Sequence, residues 1–271
     1  MAIARTVDWR LTIPPEEAQR LLAFAFDKLD LNSEVSPGQV IGHSKARLLK
    51  NRWAADVTAN IKPHQTGSLV ELRIEMPAGT KHYGVADDIA KEVGDDAFDD
   101  RGLNGAVDRL SKISKVNGWL EFRYVRHYLT ATESVREIGQ GVWGKRQGIV
   151  VLTDERLFFF DKHLIGATVE EFSLDAITSV VANKKLSGEN LLITVAGNAT
   201  VISRMMHGQG DAIARVFREV KANFRVKQNA PTVIHQTSSK AEELAKFAAL
   251  RDQGILNEDE FAAMKAQILG L

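Results

Sequence analysis

The side chains with the clearest capacity to bind another molecule lie in a basic segment between two predicted strands. No acidic residue interrupts its four cations, which Trp53 follows directly: Lys45, Arg47, Lys50 and Arg52. Cations grouped on one loop can hold a phosphate or an acidic partner through charge-assisted hydrogen bonds. The acidic stretch at 95–100 offers a counterpart within the same chain. A solvated connection between strands is the alternative interpretation, and the sequence leaves both open.

Two further basic pairs flank predicted strands in the second half of the chain. They are Lys145 with Arg146 and Lys184 with Lys185. Each cation near an anionic membrane contributes about 1 kcal/mol of attraction, so these four predict only weak, salt-sensitive adhesion. Ordinary solvation of the loops is the alternative.

A third candidate surface is apolar and lies at the C-terminal end. Helical spacing places its residues on one face of two short helices: Leu244, Phe247, Leu250, Ile255, Phe261, Met264 and Ile268. Helices of about 12–15 residues are marginal in water, and so small a hairpin cannot bury this face by itself. We therefore expect the face to bind a partner protein or a second copy of the chain. Docking on the remainder of the same chain is the alternative.

The motifs that would indicate an enzyme are weak. Residues 139–144 have the G-x-G-x-x-G spacing, but a dinucleotide site needs a helix directly after it, and a strand is predicted there. The seven histidines form no helical pair with Glu, and no cysteine completes a metal site. The acidic run at 95–100 lacks the order of a calcium loop and is predicted to cap the next helix. We expect no catalytic residue, cofactor or metal.

Composition limits the class of protein and its partners. The chain has 271 residues, with 35 basic and 35 acidic side chains and a net charge of zero. This balance argues against a nucleic-acid partner. The absence of cysteine rules out disulfides and fits a reducing cytoplasm. The N-terminus lacks the apolar core of a signal peptide, and no apolar run approaches the roughly 20 residues of a membrane span. We expect a soluble cytoplasmic protein.

The first of three predicted pieces, residues 1–118, combines strands and helices. Apolar and polar residues alternate with period two over 53–61 and 68–76, which predicts half-buried antiparallel strands. Helices are predicted from Pro14 onward, over 85–93 and over 103–116. The order β-α-β-β-β-α predicts an antiparallel sheet with helices on one face.

The second and third pieces differ in character. Residues 119–226 predict a series of strands and one closing helix, at 148–153, 156–161, 168–173, 177–182, 190–195, 200–204 and 211–224. Asp211 is the predicted cap of that helix. Residues 227–238 are polar and aperiodic, which predicts a linker. Residues 239–271 predict a helical hairpin, whose second helix begins with a capping box at 257–260.

Residues 148–160, GIVVLTDERLFFF, resemble the "LTDERLFF" hairpin of bacterial pleckstrin-homology (PH) domains. Phe172–Leu174, Ile177 and the helix at 211–224 are similar to the continuation of that pattern. The resemblance covers about 125–225 and implies a bent β-barrel or sandwich with a C-terminal helix. In such folds basic loops near the open end can hold anionic headgroups, although the fold by itself does not identify a ligand.

Residues 239–270 resemble the short C-terminal domain called SHOCT. The similarity lies in Leu250-Arg251-Asp252, Gly254-Ile255-Leu256, the acidic start at 257–260, Phe261, and Lys265 with Leu269. That family occurs at the ends of many bacterial proteins, and the resemblance implies self-association or partner binding. Residues 1–118 resemble no family that we can name.

Together these features predict an α+β protein that acts as a non-catalytic bacterial adaptor. The PH-like region would offer a binding surface, and the hairpin would oligomerise or recruit a partner. The alternative is a small-ligand sensor or, less favoured, an enzyme, with an apolar pocket in the first region lined by Trp9, Phe24, Phe26, Trp53 and Met76. A pocket of about 300 Å³ or more with convergent polar groups would favour that alternative.

Overall fold

The computed structural model describes residues 2–44, 54–77, 81–162 and 167–229, together with Ala248, Phe261 and Lys265. Contacts divide the chain into two compact units, residues 1–226 and residues 227–271. The first unit has the predicted α+β class, with two antiparallel sheets. Of the second unit only the three single residues above are described, each in a helix.

The first sheet has five antiparallel strands in the order β1-β5-β4-β3-β2. The strands are β1 (Ile3–Leu11), β2 (Asn32–Ser36), β3 (Gln39–Ser44), β4 (Ala55–His64) and β5 (Gly67–Met76). Two helices, α1 (Pro15–Lys28) and α2 (His82–Val93), pack in one core with this sheet. The predicted arrangement of helices on one face of an antiparallel sheet is confirmed.

Side-chain alternation builds the core of this sheet. Val57, Ala59 and Ile61 of β4 are buried and pair across the strands with the buried residues of β5, such as Leu72. The helices contribute Leu22, Ala25 and Phe26 from α1 and Ile89 from α2. The sequence missed β2, because its residues are mostly polar and exposed and give no apolar alternation.

Residues 94–134, which we call the connecting segment, join the two sheets. They form α3 (Leu103–Asp108), α4 (Lys112–Asn117) and α5 (Trp119–Val125), with short 3-10 turns at Asp95–Ala97 and Arg126–Tyr128. The single helix predicted over 103–116 is therefore wrong. Ser111 is extended, and its Oγ accepts from the backbone N–H of Ser114, so the chain begins a new helix there.

The second sheet has seven antiparallel strands in the order β10-β11-β12-β6-β7-β8-β9. They are β6 (Val135–Trp143), β7 (Arg146–Thr153), β8 (Arg156–Lys162), β9 (Ala167–Ser173), β10 (Ile177–Lys185), β11 (Gly188–Val195) and β12 (Asn198–Met205). Among the described residues no pairing joins β9 to β10, so these strands form an open sheet rather than a closed barrel. The C-terminal helix follows as α6 (Gln209–Asn229).

Both faces of the second sheet are covered. Val150 and Phe159 lie in a core that α6 closes, whereas Ile149, Phe158 and Phe160 lie in a second core with α3 and α5. This double burial explains why β7 and β8 have continuous apolar runs instead of alternation, since neither face meets water.

A buried carboxylate anchors the beginning of α6. Glu189 of β11 is 1% exposed, and its two oxygens accept from the backbone N–H groups of Gly208, Gly210 and Asp211 at 2.8–3.2 Å. The sequence predicted Asp211 as the cap, but Asp211 instead forms an ion pair with Lys184 at 2.6 Å. The free N–H groups of the first helical turn therefore receive their acceptor from a strand distant in sequence.

Candidate functional site

The predicted cations Lys145 and Arg146 lie at the turn between β6 and β7. Lys145 is exposed, whereas the Arg146 guanidinium lies 5.5 Å from the centre of the Trp143 ring and 3.3 Å from Glu170 of β9. Trp143 also contacts the Phe159 and Phe172 rings. Arg146 is therefore held in place, and Lys145 is the cation that this turn presents to solvent.

The other predicted pair, Lys184 and Lys185, lies at the end of β10, beside the turn into β11. Both side chains are exposed. The Asp211 hydrogen bond raises the pKa of Lys184, because the carboxylate stabilises the charged form. Lys184 therefore already has an ion-pair partner, Asp211, within the chain.

The strand order keeps the two basic pairs apart. Strands β10, β11, β12, β6 and β7 are consecutive neighbours, each antiparallel to the next. Successive turns therefore alternate between the two ends of the sheet. The β10–β11 turn and the β6–β7 turn lie at opposite ends, so the structure does not bring the four cations together.

The remaining predicted binding residues lie outside the described part of the chain. This holds for Lys45, Arg47, Lys50 and Arg52, and in the hairpin for Leu244, Phe247, Leu250, Ile255, Met264 and Ile268. Within the hairpin set, Phe261 is described and is half-buried in a helix. These assignments remain predictions.

The acidic run at 95–100 has partners elsewhere in the chain. Asp95 pairs with Arg126 at 2.8 Å, and Asp99 lies 3.6 Å from Arg10. Asp100 accepts from the backbone N–H groups of Gly102 and Asn104 at the start of α3. The predicted capping role is confirmed for Asp100.

The G-x-G-x-x-G stretch forms most of β6, and its glycines serve packing. A Cβ atom on Gly139 would lie 2.7 Å from Met205 Cε, and one on Gly141 would lie 2.6 Å from Ile202 Cγ2. Both glycines let β12 cross β6 closely. A strand, not a helix, follows the motif, so the arrangement of a dinucleotide site is absent here.

The buried side chain of Arg101 joins the connecting segment to the first sheet. Arg101 is 5% exposed, and its guanidinium donates to the backbone carbonyls of Asp8, Arg126, Leu129 and Thr130 at 2.6–3.3 Å. Burial, together with the nearby charge of Arg10, lowers the pKa of Arg101 to about 10. This value leaves the group charged at neutral pH, so it acts as a permanent donor that ties four backbone positions together.

A second buried charge joins the connecting segment to the second sheet. Glu133 is 0% exposed and accepts two hydrogen bonds from Arg156 of β8, at 2.8 and 2.9 Å. Burial opposes the charge of Arg156, but the hydrogen bonds and charge of Glu133 outweigh it and raise the Arg156 pKa. The bidentate geometry fixes the position of β8 relative to residues 128–133.

The third contact of this kind involves a fully buried histidine. The indole N–H of Trp9 in β1 donates to His127 Nδ1 at 3.1 Å. Burial lowers the pKa of His127, and the charge of the nearby Asp87 carboxylate opposes that shift without overcoming it. The ring is thus neutral at pH 7, as the acceptor role of Nδ1 requires.

A cavity of about 260 Å³ lies beside these contacts. Trp9, Phe98 and Phe122 form its apolar part, and Arg123 and Arg126 lie among its polar residues. It borders the connecting segment, not the space beneath α1 where the sequence suggested a pocket.

The residues proposed for that pocket have other positions. Trp9, Phe26 and Met76 are fully buried within the packed core of the first sheet. Phe24 differs from the expectation, because it is 53% exposed on α1 with the Lys28 ammonium 5.3 Å from its ring centre. Trp53 lies outside the described residues.

Comparison with protein families then identifies two regions. Residues 127–221 match the family described as bacterial PH domain, and residues 242–269 match SHOCT, the short C-terminal domain. The PH match begins at His127, so His127 and Glu133 fall inside the matched region, whereas Trp9, the hydrogen-bond partner of His127, lies in the region without a named family.

Solved structures similar to the chain align with about a third of it. The Vps36 N-terminal PH domain is 17% identical, with a TM-score of 0.31, and the alignment covers 36% of this chain and 86% of that one. A C-terminal domain of an unknown protein from Leishmania infantum is also 17% identical, with a TM-score of 0.27 and coverage of 35% and 87%. No curated protein matches the chain.

Two negative findings apply to the described residues. No helix there is long and apolar enough to cross a membrane. In the same part of the chain, no group of three or more His, Asp or Glu side chains is arranged to hold a metal ion.

Proposed function

We propose that this protein is a non-catalytic bacterial adaptor that acts in the cytoplasm. The PH domain offers a binding surface, and the SHOCT hairpin oligomerises the chain or recruits a partner. The observation that carries this proposal is the pair of family matches, at 127–221 and 242–269. Domains of both kinds are in general non-catalytic and serve interactions, which supports an adaptor over an enzyme.

We divide the chain for this purpose into four parts. The N-terminal α+β domain comprises residues 1–118, the PH-like domain 119–226, the linker 227–238 and the hairpin 239–271. The polar, aperiodic composition of the linker supports a hairpin that acts as a separate module and offers its apolar residues to another molecule.

The hairpin is tested by measuring the mass of the full chain in solution. Leu250→Asp together with Phe261→Asp places charges on the apolar face, whereas Lys265→Ala on the same hairpin serves as the control. Self-association predicts an oligomer that the double variant reduces to a monomer and the control leaves intact. If all three proteins have the same mass, the hairpin does not oligomerise the chain.

Recruitment of a different protein is tested by capture from the native host with the same three proteins. A partner retained by the wild type and the Lys265→Ala control, but lost with the double variant, supports recruitment. Equal capture by all three, combined with equal mass, overturns the role that we assign to the hairpin.

Weak contact with anionic membranes is a subsidiary role for Lys145 and Lys185. Pelleting with phosphatidylglycerol vesicles at low salt is expected to retain some of the chain, and about 0.5 M salt is expected to release it. Because the two lysines lie at opposite ends of the second sheet, only one end can face a membrane, and either Lys145→Glu or Lys185→Glu alone would lower the retained fraction. An absence of pelleting at low salt removes membrane contact from the proposal.

A small-ligand sensor remains the second candidate, and the 260 Å³ cavity is the observation that favours it. Its volume is below that of ordinary ligand pockets, which are about 300–1,000 Å³, so the cavity supports the sensor less than the family matches support the adaptor. A metabolite panel screened by thermal unfolding tests this function. Stabilisation by a compound that Phe122→Trp abolishes, through filling of the cavity, would favour the sensor over the adaptor.

A further inference from the structure

A groove of about 460 Å³ runs between β10 and α6 at one edge of the second sheet. Residues 178–181 of β10 form one wall, and Phe217, Arg218, Lys221 and Arg225 of α6 form the other. The spacing of the α6 residues, three and four positions apart, places them on one side of the helix.

One wall of the groove is an edge strand. The sheet order places β10 at its end, and among the described residues β11 is its single strand partner. In an antiparallel pair, every second residue directs its backbone N–H and C=O away from the neighbouring strand. Such an edge can accept a further strand from another chain.

The opposite wall carries the cations Arg218, Lys221 and Arg225 of α6. Arg218 and Arg225 are exposed, and within the described residues neither has an ion-pair partner, unlike Arg215, which lies 3.5 Å from Glu219. Lys221 donates to the Ile177 carbonyl at the beginning of β10. The groove therefore has a positive wall and a fixed end.

The floor between the walls is apolar. Val180 and Phe217 lie beneath it and are nearly fully buried, whereas Val181, the next residue of β10, points to the opposite face of the sheet. Apolar side chains of a bound strand could pack against this floor while alternate side chains point toward the cations, since successive residues of a strand face opposite sides.

We propose that this groove binds an extended acidic peptide segment of a partner protein, which adds to β10 as a strand and places its carboxylates against Arg218 and Arg225. The proposal rests on the adaptor function and specifies the surface and the partner chemistry. Three features favour a peptide over a lipid surface: the unpaired backbone edge, the apolar floor and the one-sided row of cations. A lipid headgroup has no backbone to pair with a strand.

The probe is a fluorescein-labelled peptide of alternating Glu and Val, of about eight residues, the length of an ordinary strand. Its binding to the full chain is measured by fluorescence anisotropy at about 0.1 M salt. Arg218→Glu with Arg225→Glu is expected to weaken binding by about 10-fold or more, because both attractions become repulsions. Arg20→Glu, an exposed charge reversal on α1, is the control and should leave the affinity within about two-fold.

Two modified peptides separate strand addition from simple charge attraction. A peptide with N-methylated backbone amides keeps its charges but loses its donors, so its binding should fall to the level of the double variant. A peptide of alternating Lys and Val should not bind. Equal binding of the methylated peptide, or equal binding by the double variant, overturns the proposal.

Circular dichroism and thermal unfolding check that the variants fold. Because the substituted residues are exposed, both measurements are expected to match those of the wild type. If phosphatidylglycerol vesicles bind through Arg218 and Arg225 while the peptide does not, the groove serves a membrane and the proposal is wrong. The adaptor function fails independently of the groove. Peptide binding by the groove with no hairpin-dependent partner or oligomer overturns the adaptor alone. Hairpin-dependent capture, together with equal peptide binding by the wild type and the groove double variant, overturns the groove alone.

Discussion

The connecting segment and the β10–α6 groove use charge in opposite ways. In the connecting segment Arg101 and Glu133 are nearly or fully buried, and each is held by several hydrogen bonds. In the groove Arg218 and Arg225 are exposed and have no ion-pair partner within the described chain. Charges that are buried and fully bonded hold two layers in one arrangement, whereas exposed unpaired charges remain available to another molecule.

Helix α6 contains the same contrast within one element. Its first turn is bound by the buried Glu189, and its later turns present the groove cations. The anchored end sets the position of the helix, and that position sets the width of the groove. The variants below test this division between charges that hold the fold and charges that remain free.

The largest effect is expected for Glu133→Ala. This change leaves Arg156, which is 17% exposed, without its bidentate partner, and breaking a buried pair costs about 3–5 kcal/mol of unfolding free energy. Urea unfolding measures the change. Glu75→Ala removes an exposed pair with Arg73 and should cost less than about 1 kcal/mol. Equal effects of the two substitutions would show that the buried pair stabilises the fold no more than the exposed pair does.

A smaller effect is expected for Glu189→Ala, which removes the acceptor of three backbone N–H groups at the start of α6. Hydrogen bonds to a charged group contribute about 1.5–3 kcal/mol, so we expect a loss of about 2–3 kcal/mol. Asp211→Ala is the matched control, with an expected loss under about 1 kcal/mol, because its pair with Lys184 is exposed. A larger loss of unfolding free energy for Asp211→Ala than for Glu189→Ala would support Asp211 as the helix cap, as the sequence predicted.

The buried His127 predicts a pH dependence. Its pKa is lowered in the folded chain, so the unfolded chain binds the proton more readily. The free energy of unfolding should therefore have its full value above about pH 6.5. As the pH decreases further, this free energy should fall by at most about 1.4 kcal/mol per pH unit, until the pKa of His127 in the folded chain is reached.

Thermal unfolding between pH 7 and pH 5 measures this dependence. His127→Gln should flatten the profile in that range, whereas His43→Gln, at an exposed position beside Asp56, should preserve it. A slope that survives in His127→Gln would assign the titration to another group.

The smallest effect is expected for Arg218→Glu with Arg225→Glu. Among the described residues neither side chain has an ion pair to lose, so the unfolding free energy should change by less than about 0.5 kcal/mol for each substitution. Urea unfolding again provides the measurement. A loss comparable to that of Glu133→Ala would show that these cations stabilise the fold and are not free for binding.

Local patterns predicted the strands and helices that have a strong local signal. The hairpin of β7 and β8 and the helix α6 follow from apolar runs, turn residues and helical spacing. Strand β6 was harder to predict, because Gly139 and Gly141 weaken strand propensity and are required only by the close crossing of β12. The break at Ser111 was likewise hidden by helical spacing on both sides of it.

The contacts that join the two sheets could not be read from the sequence. Trp9 and His127 are 118 positions apart, and Arg101 bonds carbonyl groups, which every residue type possesses. No motif marks such partners, since their pairing depends on the arrangement of whole layers. The groove has the same origin, because the edge position of β10 is set by strand order and not by its own residues.

The double burial of β7 and β8 has a consequence for anyone who isolates part of this chain. A fragment that begins at residue 127, where the family match starts, would lack all of α3 and α5 and would uncover Ile149, Phe158 and Phe160. Such an exposed apolar surface favours aggregation. The first residue of the family match is therefore not a suitable start for an isolated fragment. Production of a well-behaved PH fragment therefore requires that the preceding helices be kept.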